Sequence, residues 1–284
     1  MPIARGASEV CELAMNELSK RVISAFVAVV IFLIILFLPD LYFNLAFILL
    51  AGMLVFELTR AFGFDHLLKG VSVAFAVGIA ALCVYAYDYM FAGIFLFAVT
   101  AAGFVLVKPE KYNIRMLIEA VFSVVYVGVF TSFLPRILAT ANFGKFTLLF
   151  VFIAAWLSDT GAYFAGRFFG RHKLAPTISP KKTVEGAVGG VVSSVVFCLA
   201  YGWGLTAILD FHVSFGLVAA AAVAGSILGQ VGDLLASMIK RECGIKDFGN
   251  IMPGHGGMMD RCDSVVLIGP FLYYFICMFG NLLS

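Results

Sequence analysis

Charge is scarce in this sequence. Asp, Glu, Lys and Arg make up 13% of its 284 residues, about half the share of an ordinary soluble domain. Apolar residues make up 62%, and the mean hydropathy is +1.04. A chain this poor in charge is not a soluble globular enzyme. The six cysteines (Cys11, Cys83, Cys198, Cys243, Cys262, Cys277) form no CxxC pair, and none has a histidine at zinc-ligand spacing, so they read as small apolar packing residues. GxSxG, the Walker A pattern and a GxGxxG in a soluble strand–helix context are also missing. Their absence argues against a hydrolase nucleophile elbow, a P-loop and a Rossmann domain. No nucleic-acid partner is expected.

What the chain has in abundance is long apolar runs. Spanning a bilayer takes about 20 apolar residues. Nine segments qualify, near 21–39, 41–59, 70–88, 90–107, 116–138, 146–168, 184–208, 213–239 and 261–282. The expected fold is therefore an all-α polytopic bundle of about nine transmembrane helices. No small-residue cleavage pattern follows the first run, so it reads as a retained helix. Placing the N-terminus in the cytoplasm puts every Lys and Arg except Arg136 and Lys145 on the cytoplasmic side. The C-terminus then faces outward, and the expected location is the inner (plasma) membrane.

Three regions follow. Residues 1–19 form an N-terminal cytoplasmic extension or interfacial helix, with Val10, Leu13, Ala14 and Leu18 at helical spacing. Residues 20–140 are a chemically quiet scaffold of helices, expected to carry oligomer contacts such as those of a homodimer. Its Glu57 and Glu119 lie near helix ends, where such side chains snorkel. Residues 141–284 hold the polar chemistry, with cytoplasmic loops 167–183 and 240–261.

The sparse charge gathers in Ser237–Ser264 and just before it. On the eighth run Gln230, Asp233, Ser237, Lys240 and Arg241 share one helical face. An aspartate at the depth of Asp233 costs roughly 2.5–3.5 kcal/mol on insertion scales, so it should face protein, water or a cation. Asp159 repeats the arrangement on the sixth run, with Tyr163, Gly166 and Arg167 on its face. Ser179-Pro180-Lys181-Lys182-Thr183-Val184-Glu185-Gly186 reads as a helix start with Ser179 as N-cap and Pro180 in the first turn. Lys181 and Lys182 would then sit at a helix N-terminus that already favours an anion, while Glu185 would orient a lysine or a metal-bound water. Asp260, Asp263 and Ser264 share a face on the opening turns of the last run. Carboxylates without Cys or His partners suit Mg²⁺. Together these residues imply metal-dependent phosphoryl or nucleotidyl transfer at the inner membrane face, to a lipid. A transporter would also bury Asp159 and Asp233, but here the polar groups cluster toward one face and only in the second half.

The pattern Ser237-x-Ile239-Lys240-Arg241-x₄-Lys246-Asp247-x-Gly249-x₂-Met252-Pro253-Gly254-His255-Gly256-Gly257-x₂-Asp260-Arg261-x-Asp263 closely resembles the signature of phosphatidate cytidylyltransferases. Ser158-Asp159-Thr160-Gly161 and Ser179–Gly186 are similar to the same family. The resemblance covers about 158–264. It implies transfer of the cytidylyl group of CTP to phosphatidic acid, with Mg²⁺ and a second site for Mg²⁺ or a monovalent cation such as K⁺. It implies metal ligation by Asp233 and Asp260, with Asp263 and Asp159 beside them. Lys240 and His255 join Asp233 and Asp260 in the catalytic set. Lys181, Lys182, Arg241 and Lys246 would bind phosphate, and Thr183, Glu185, Ser237, Asp247, Gly256, Gly257 and Arg261 would complete the substrate site. A CTP-dependent transferase acting on an isoprenoid ether phosphatidate or a polyprenol is the alternative.

Overall fold

A computed structural model describes residues 23–24, 26–251 and 256–284. The extension at 1–19 and His255 therefore lie outside the described residues. Nearly everything else is helix, as it must be where no water is at hand to satisfy the backbone. Helix α1 (Phe26–Phe37) is a shorter apolar helix. It is followed by α2 (Asp40–Ala61), α3 (His66–Tyr85) and α4 (Met90–Val107). The fifth span is composite: α5 (Ile114–Phe122), a π-helical stretch (Ser123–Val129) and α6 (Phe133–Thr140) run on as one apolar unit. Then come α7 (Gly144–Phe169), α8 (Val184–Leu209), α9 (Phe215–Glu242) and α10 (Met259–Phe279). Eight units are long and apolar enough to cross a bilayer, and α1 makes the ninth helical unit among the described residues. The polytopic all-α bundle expected from hydropathy is what the chain forms.

Polar residues mark the helix starts. Asp65 accepts the Leu68 N–H to cap α3, Asn113 accepts the Met116 N–H to cap α5, and Thr183 accepts the Gly186 N–H to cap α8. Large apolar side chains on the outer faces, among them Phe91, Phe95, Leu106 and Ile208, are exposed, as lipid-facing residues are. Arg136 lies in α6 against the rings of Tyr87 and Tyr273, which gives the cation π-faces within the bundle. At the end away from the long loops, Ser284 and His212 exchange backbone hydrogen bonds of 2.9 Å, closing the C-terminus onto the α8–α9 turn.

One expectation fails. Ser179–Thr183 does not begin a helix. It forms β2, paired antiparallel with β1 (Lys173–Ala175), with Lys173 opposite Thr183 and Ala175 opposite Ser179. Proline at 180 disfavours the α region for Ser179, and pairing with β1 supplies backbone partners that a helix would otherwise provide. The helix starts four residues later than Pro180, at Val184, and Thr183 is its cap. Lys181 and Lys182 thus stand on a strand leading into α8.

The second half is knitted by α7 on α8, α8 on α9 and α9 on α10. Small residues allow the close approach: a Cβ on Gly189 would collide with the Ala165 side chain, and one on Gly161 with Ser193. Gly204, on the same helix as Gly189, faces open space. Gly189→Leu should therefore destabilise the protein by about 1–3 kcal/mol, seen as a lowered melting temperature in detergent. Gly204→Leu should leave it unchanged; equal effects would show that the α7–α8 contact is not tight.

Candidate active site

A cavity of about 490 Å³ opens where α7, the β-hairpin, α8, α9 and α10 meet. Its wall carries five acids (Asp159, Asp233, Asp247, Asp260, Asp263) and five cations (Arg167, Lys181, Lys182, Lys240, Arg261). In a chain with so few charges, this one hollow collects more than a quarter of them.

Helix α9 supplies the central wall. Gln230, Asp233 and Lys240 all line the cavity. Gln230 donates to the Ala187 carbonyl at 3.0 Å, which fixes α9 against α8. Asp233 is ion-paired with Lys182 from β2. Ser237 donates to Asp233 at 3.5 Å, the limit of a hydrogen bond. Arg241 points toward the hairpin, donating to the Ile178 carbonyl at 3.4 Å, and does not line the cavity. The hairpin is thus tied to α9 at two levels, by Lys182 and by Arg241.

Helix α10 brings the next two carboxylates. Asp260 is nearly fully buried and accepts three hydrogen bonds: Lys240 at 2.7 Å on Oδ1, and the N–H groups of Phe248 at 2.8 Å and Gly257 at 3.0 Å on Oδ2. It therefore holds a cation and the backbone of the α9–α10 connection at Phe248 and at Gly257 at once. Asp263, one helical turn on, is buried at the cavity wall, where its Oδ1 accepts the Ser264 N–H at 2.8 Å. Ser264 donates from its hydroxyl to Asp159 on α7 at 3.4 Å. Asp159, Asp233 and Asp263 thus bring carboxylates from α7, α9 and α10 to one cavity. Gly256 has φ +85°, and a Cβ there would stand 3.0 Å from Asp260 Oδ2 and 3.2 Å from the Asp247 Cβ. Conformation and space both require glycine at that position.

Not every residue expected here arrives. Glu185 turns away to the hairpin, accepting the backbone N–H of Arg171 and of His172 and pairing with the His172 ring at 2.6 Å. It organises the 170–173 backbone and orients neither a lysine nor a site in the cavity. Lys246 is exposed and outside the wall, whereas its neighbour Asp247 lines it. Thr183 lines the cavity, but its hydroxyl is committed to capping α8.

One buried acid reaches the site's edge without having been expected there. Glu57 is not snorkelling at the end of α2. It is fully buried and accepts the backbone N–H groups of Met258 and Met259. Its neighbour Arg60 donates to the Phe248 carbonyl. The available signal was an acid with no local partner inside an apolar run.

As for a metal, the donors are hard carboxylate oxygens, the chemistry Mg²⁺ favours. Among the described residues no three acidic, His or Cys groups converge into a ready-made cage. Mg²⁺ does not need one, because it commonly takes one or two carboxylates and completes its shell with water and substrate phosphate. The cavity's residues fit that mode of binding.

The cytidylyltransferase family model matches residues 19–279. The phosphatidate cytidylyltransferase of Bacillus subtilis is 32% identical over 277 residues, covering 94% of this chain and 100% of its own length. Those of Staphylococcus haemolyticus and Staphylococcus saprophyticus are 35% and 31% identical, each over 89% of this chain and 96% of their own.

The Lys240–Asp260 pair is largely dehydrated, with 15% and 3% of the side chains exposed. Lys240→Met strands a buried carboxylate and should cost on the order of 3 kcal/mol. Adding Asp260→Asn should recover part of that loss in thermal unfolding. No recovery in the double variant would mean that the pair is not coupled.

Proposed function

The chain belongs to the cytidylyltransferase family and is a nucleotidyltransferase, and on that premise we propose that it converts CTP and phosphatidic acid to CDP-diacylglycerol and pyrophosphate. The observation that carries the reading is the composition of the cavity wall, five carboxylates facing five cations at the end of a membrane bundle. A nucleoside triphosphate and a lipid phosphate bring several negative charges. Only a wall with many cations, and with carboxylates able to recruit more, offsets them. The relatives' names and the bacterial sources support phosphatidic acid as the acceptor and the plasma membrane as the location.

In the proposed reaction an oxygen of the lipid phosphate attacks the α-phosphorus of CTP in line. A bond forms between them, the bond from the α-phosphorus to the bridging oxygen breaks, and pyrophosphate leaves. A phosphomonoester is ionised near neutrality, so no strong general base is needed. Lys182 and Lys181, on the strand entering α8, and Lys240 and Arg261, from α9 and α10, would hold phosphate oxygens. An arriving polyphosphate gives Lys182 a second partner and frees Asp233. Asp233, with Asp263 and Asp159 beside it, would hold Mg²⁺. When bound, that ion supplies charge neutralisation on the transferring phosphate. Asp260 has three of its about four acceptor positions occupied. It offers a metal at most one, and acts as the hub of the 243–258 loop. A second cation, Mg²⁺ or K⁺, belongs to the same proposal. The basic loops at this end favour a cytoplasmic cavity.

The test uses purified protein in detergent, labelled CTP, phosphatidic acid and saturating Mg²⁺. Wild type should form labelled lipid, and Asp233→Asn should lower turnover by about 100-fold, the upper range for loss of a metal-supporting group. Near-normal turnover in Asp233→Asn removes Asp233 from the site. Absence of labelled lipid with wild type rejects the reaction, and preference for an isoprenoid ether phosphatidate or a polyprenol over phosphatidic acid selects the other lipid class.

A further inference from the structure

We propose that Glu57 and Arg60 of α2 are positioning residues for the nucleotide site. Together they hold the backbone at Phe248 and at Met258–Met259 from the N-terminal half of the chain. The inference rests on the cavity being the CTP site.

Two anchors define the clamp. Glu57 has no exposed surface, and its two oxygens accept the N–H groups of Met258 at 3.1 Å and Met259 at 2.8 Å. These donors open α10, which has no side-chain cap of its own. A helix start leaves several N–H groups without partners and favours a negative charge, and Glu57 meets both needs from another helix. Arg60 takes the carbonyl of Phe248, whose N–H is held by Asp260. The residue between Asp247 and Gly249 is thus gripped on both sides, by α2 and by α10. Room for the Glu57 carboxylate depends on glycine: a Cβ on Gly249 or on Gly257 would run into it. Asp247, Asp260 and Arg261 line the cavity and lie within two residues of the anchored backbone. Neither Glu57 nor Arg60 lines it. A contact needed only to join α2 to α10 would be cheaper built from apolar groups, since a buried carboxylate carries a desolvation cost. Glu57 therefore sets where Asp260 and the loop stand.

The experiment compares wild type, Glu57→Gln, Arg60→Ala and Phe43→Leu, all full-length in detergent. Phe43 is buried at the opposite end of α2, and its substitution serves as a stability control. Two readouts are taken: the CTP-induced rise in melting temperature without lipid, and the kinetic constants with lipid. Glu57→Gln and Arg60→Ala should raise the KM for CTP by about 10–100-fold and lose most of the CTP-induced rise. Phe43→Leu should keep both near wild type, even where its melting temperature without CTP falls as far. Wild-type behaviour of Glu57→Gln and Arg60→Ala overturns the proposal, as does equal loss of CTP affinity in Phe43→Leu. If Glu57→Gln does not fold, Arg60→Ala decides alone, since Arg60 lies at the surface. If wild type shows no CTP-induced rise but is stable, the functional reading fails and takes this inference with it. A normal wild-type response with unaffected variants sinks the inference only.

Discussion

A carboxylate within an apolar helix persists only where a cation, a polar donor or water meets it, and this constraint organises the second half of the molecule. Asp233 meets Lys182, and Asp260 meets Lys240. The first pair joins the hairpin to α9, and the second joins α9 to α10. Each bond that makes a membrane aspartate tolerable also fixes one wall of the cavity relative to the next. The same groups that settle the cost of burial are those that a polyphosphate and its counter-ion would engage. Under the proposed function, stability and chemistry would draw on a single set of charges, which the second-half helices bring to one cavity.

The two halves are less separate than their compositions imply. Among the described residues none before Asp159 lines the cavity, yet α2 sends Glu57 and Arg60 to the backbone next to lining residues Asp247 and Asp260. Glycines at 249 and 257 leave room for the Glu57 carboxylate, and glycine at 256 for those of Asp247 and Asp260. Small residues play the corresponding part between α7 and α8, where helix backbones come close and hold Asp159 within reach of α10.

Much of this was legible in the sequence, for identifiable reasons. Hydropathy marks helices wherever an element must be apolar for about 20 residues; among the described residues eight of the nine expected spans are helices of that length, and the first is a shorter helix, Phe26–Phe37. Helical spacing put Gln230, Asp233, Ser237, Lys240 and Arg241 on one face; of these Gln230, Asp233 and Lys240 line the cavity and Ser237 and Arg241 do not, while Asp260 and Asp263, also on one face, both line it. The π-helical stretch at Ser123–Val129 was not legible, because it leaves the apolar run unbroken. Ser179-Pro180 carried the marks of a helix start, but pairing with Lys173–Ala175, a tertiary choice between two short segments, overrode them. Glu185 was read by its distance from the lysines, while its partners lie in the preceding loop. The role of Glu57 is not legible in the sequence, because its partners lie about 200 residues away, where no local spacing rule reaches.

The central claim is that this cavity moves the α-phosphorus of CTP, with its nucleoside, onto a lipid phosphate. The most direct measurement follows two labels in parallel, CTP carrying radioactive phosphorus at the α or at the γ position, incubated with purified protein and phosphatidic acid. The expected result is α-label in the extracted lipid and γ-label in the aqueous phase as pyrophosphate. Gamma-label in the lipid, or no label there at all, would contradict it.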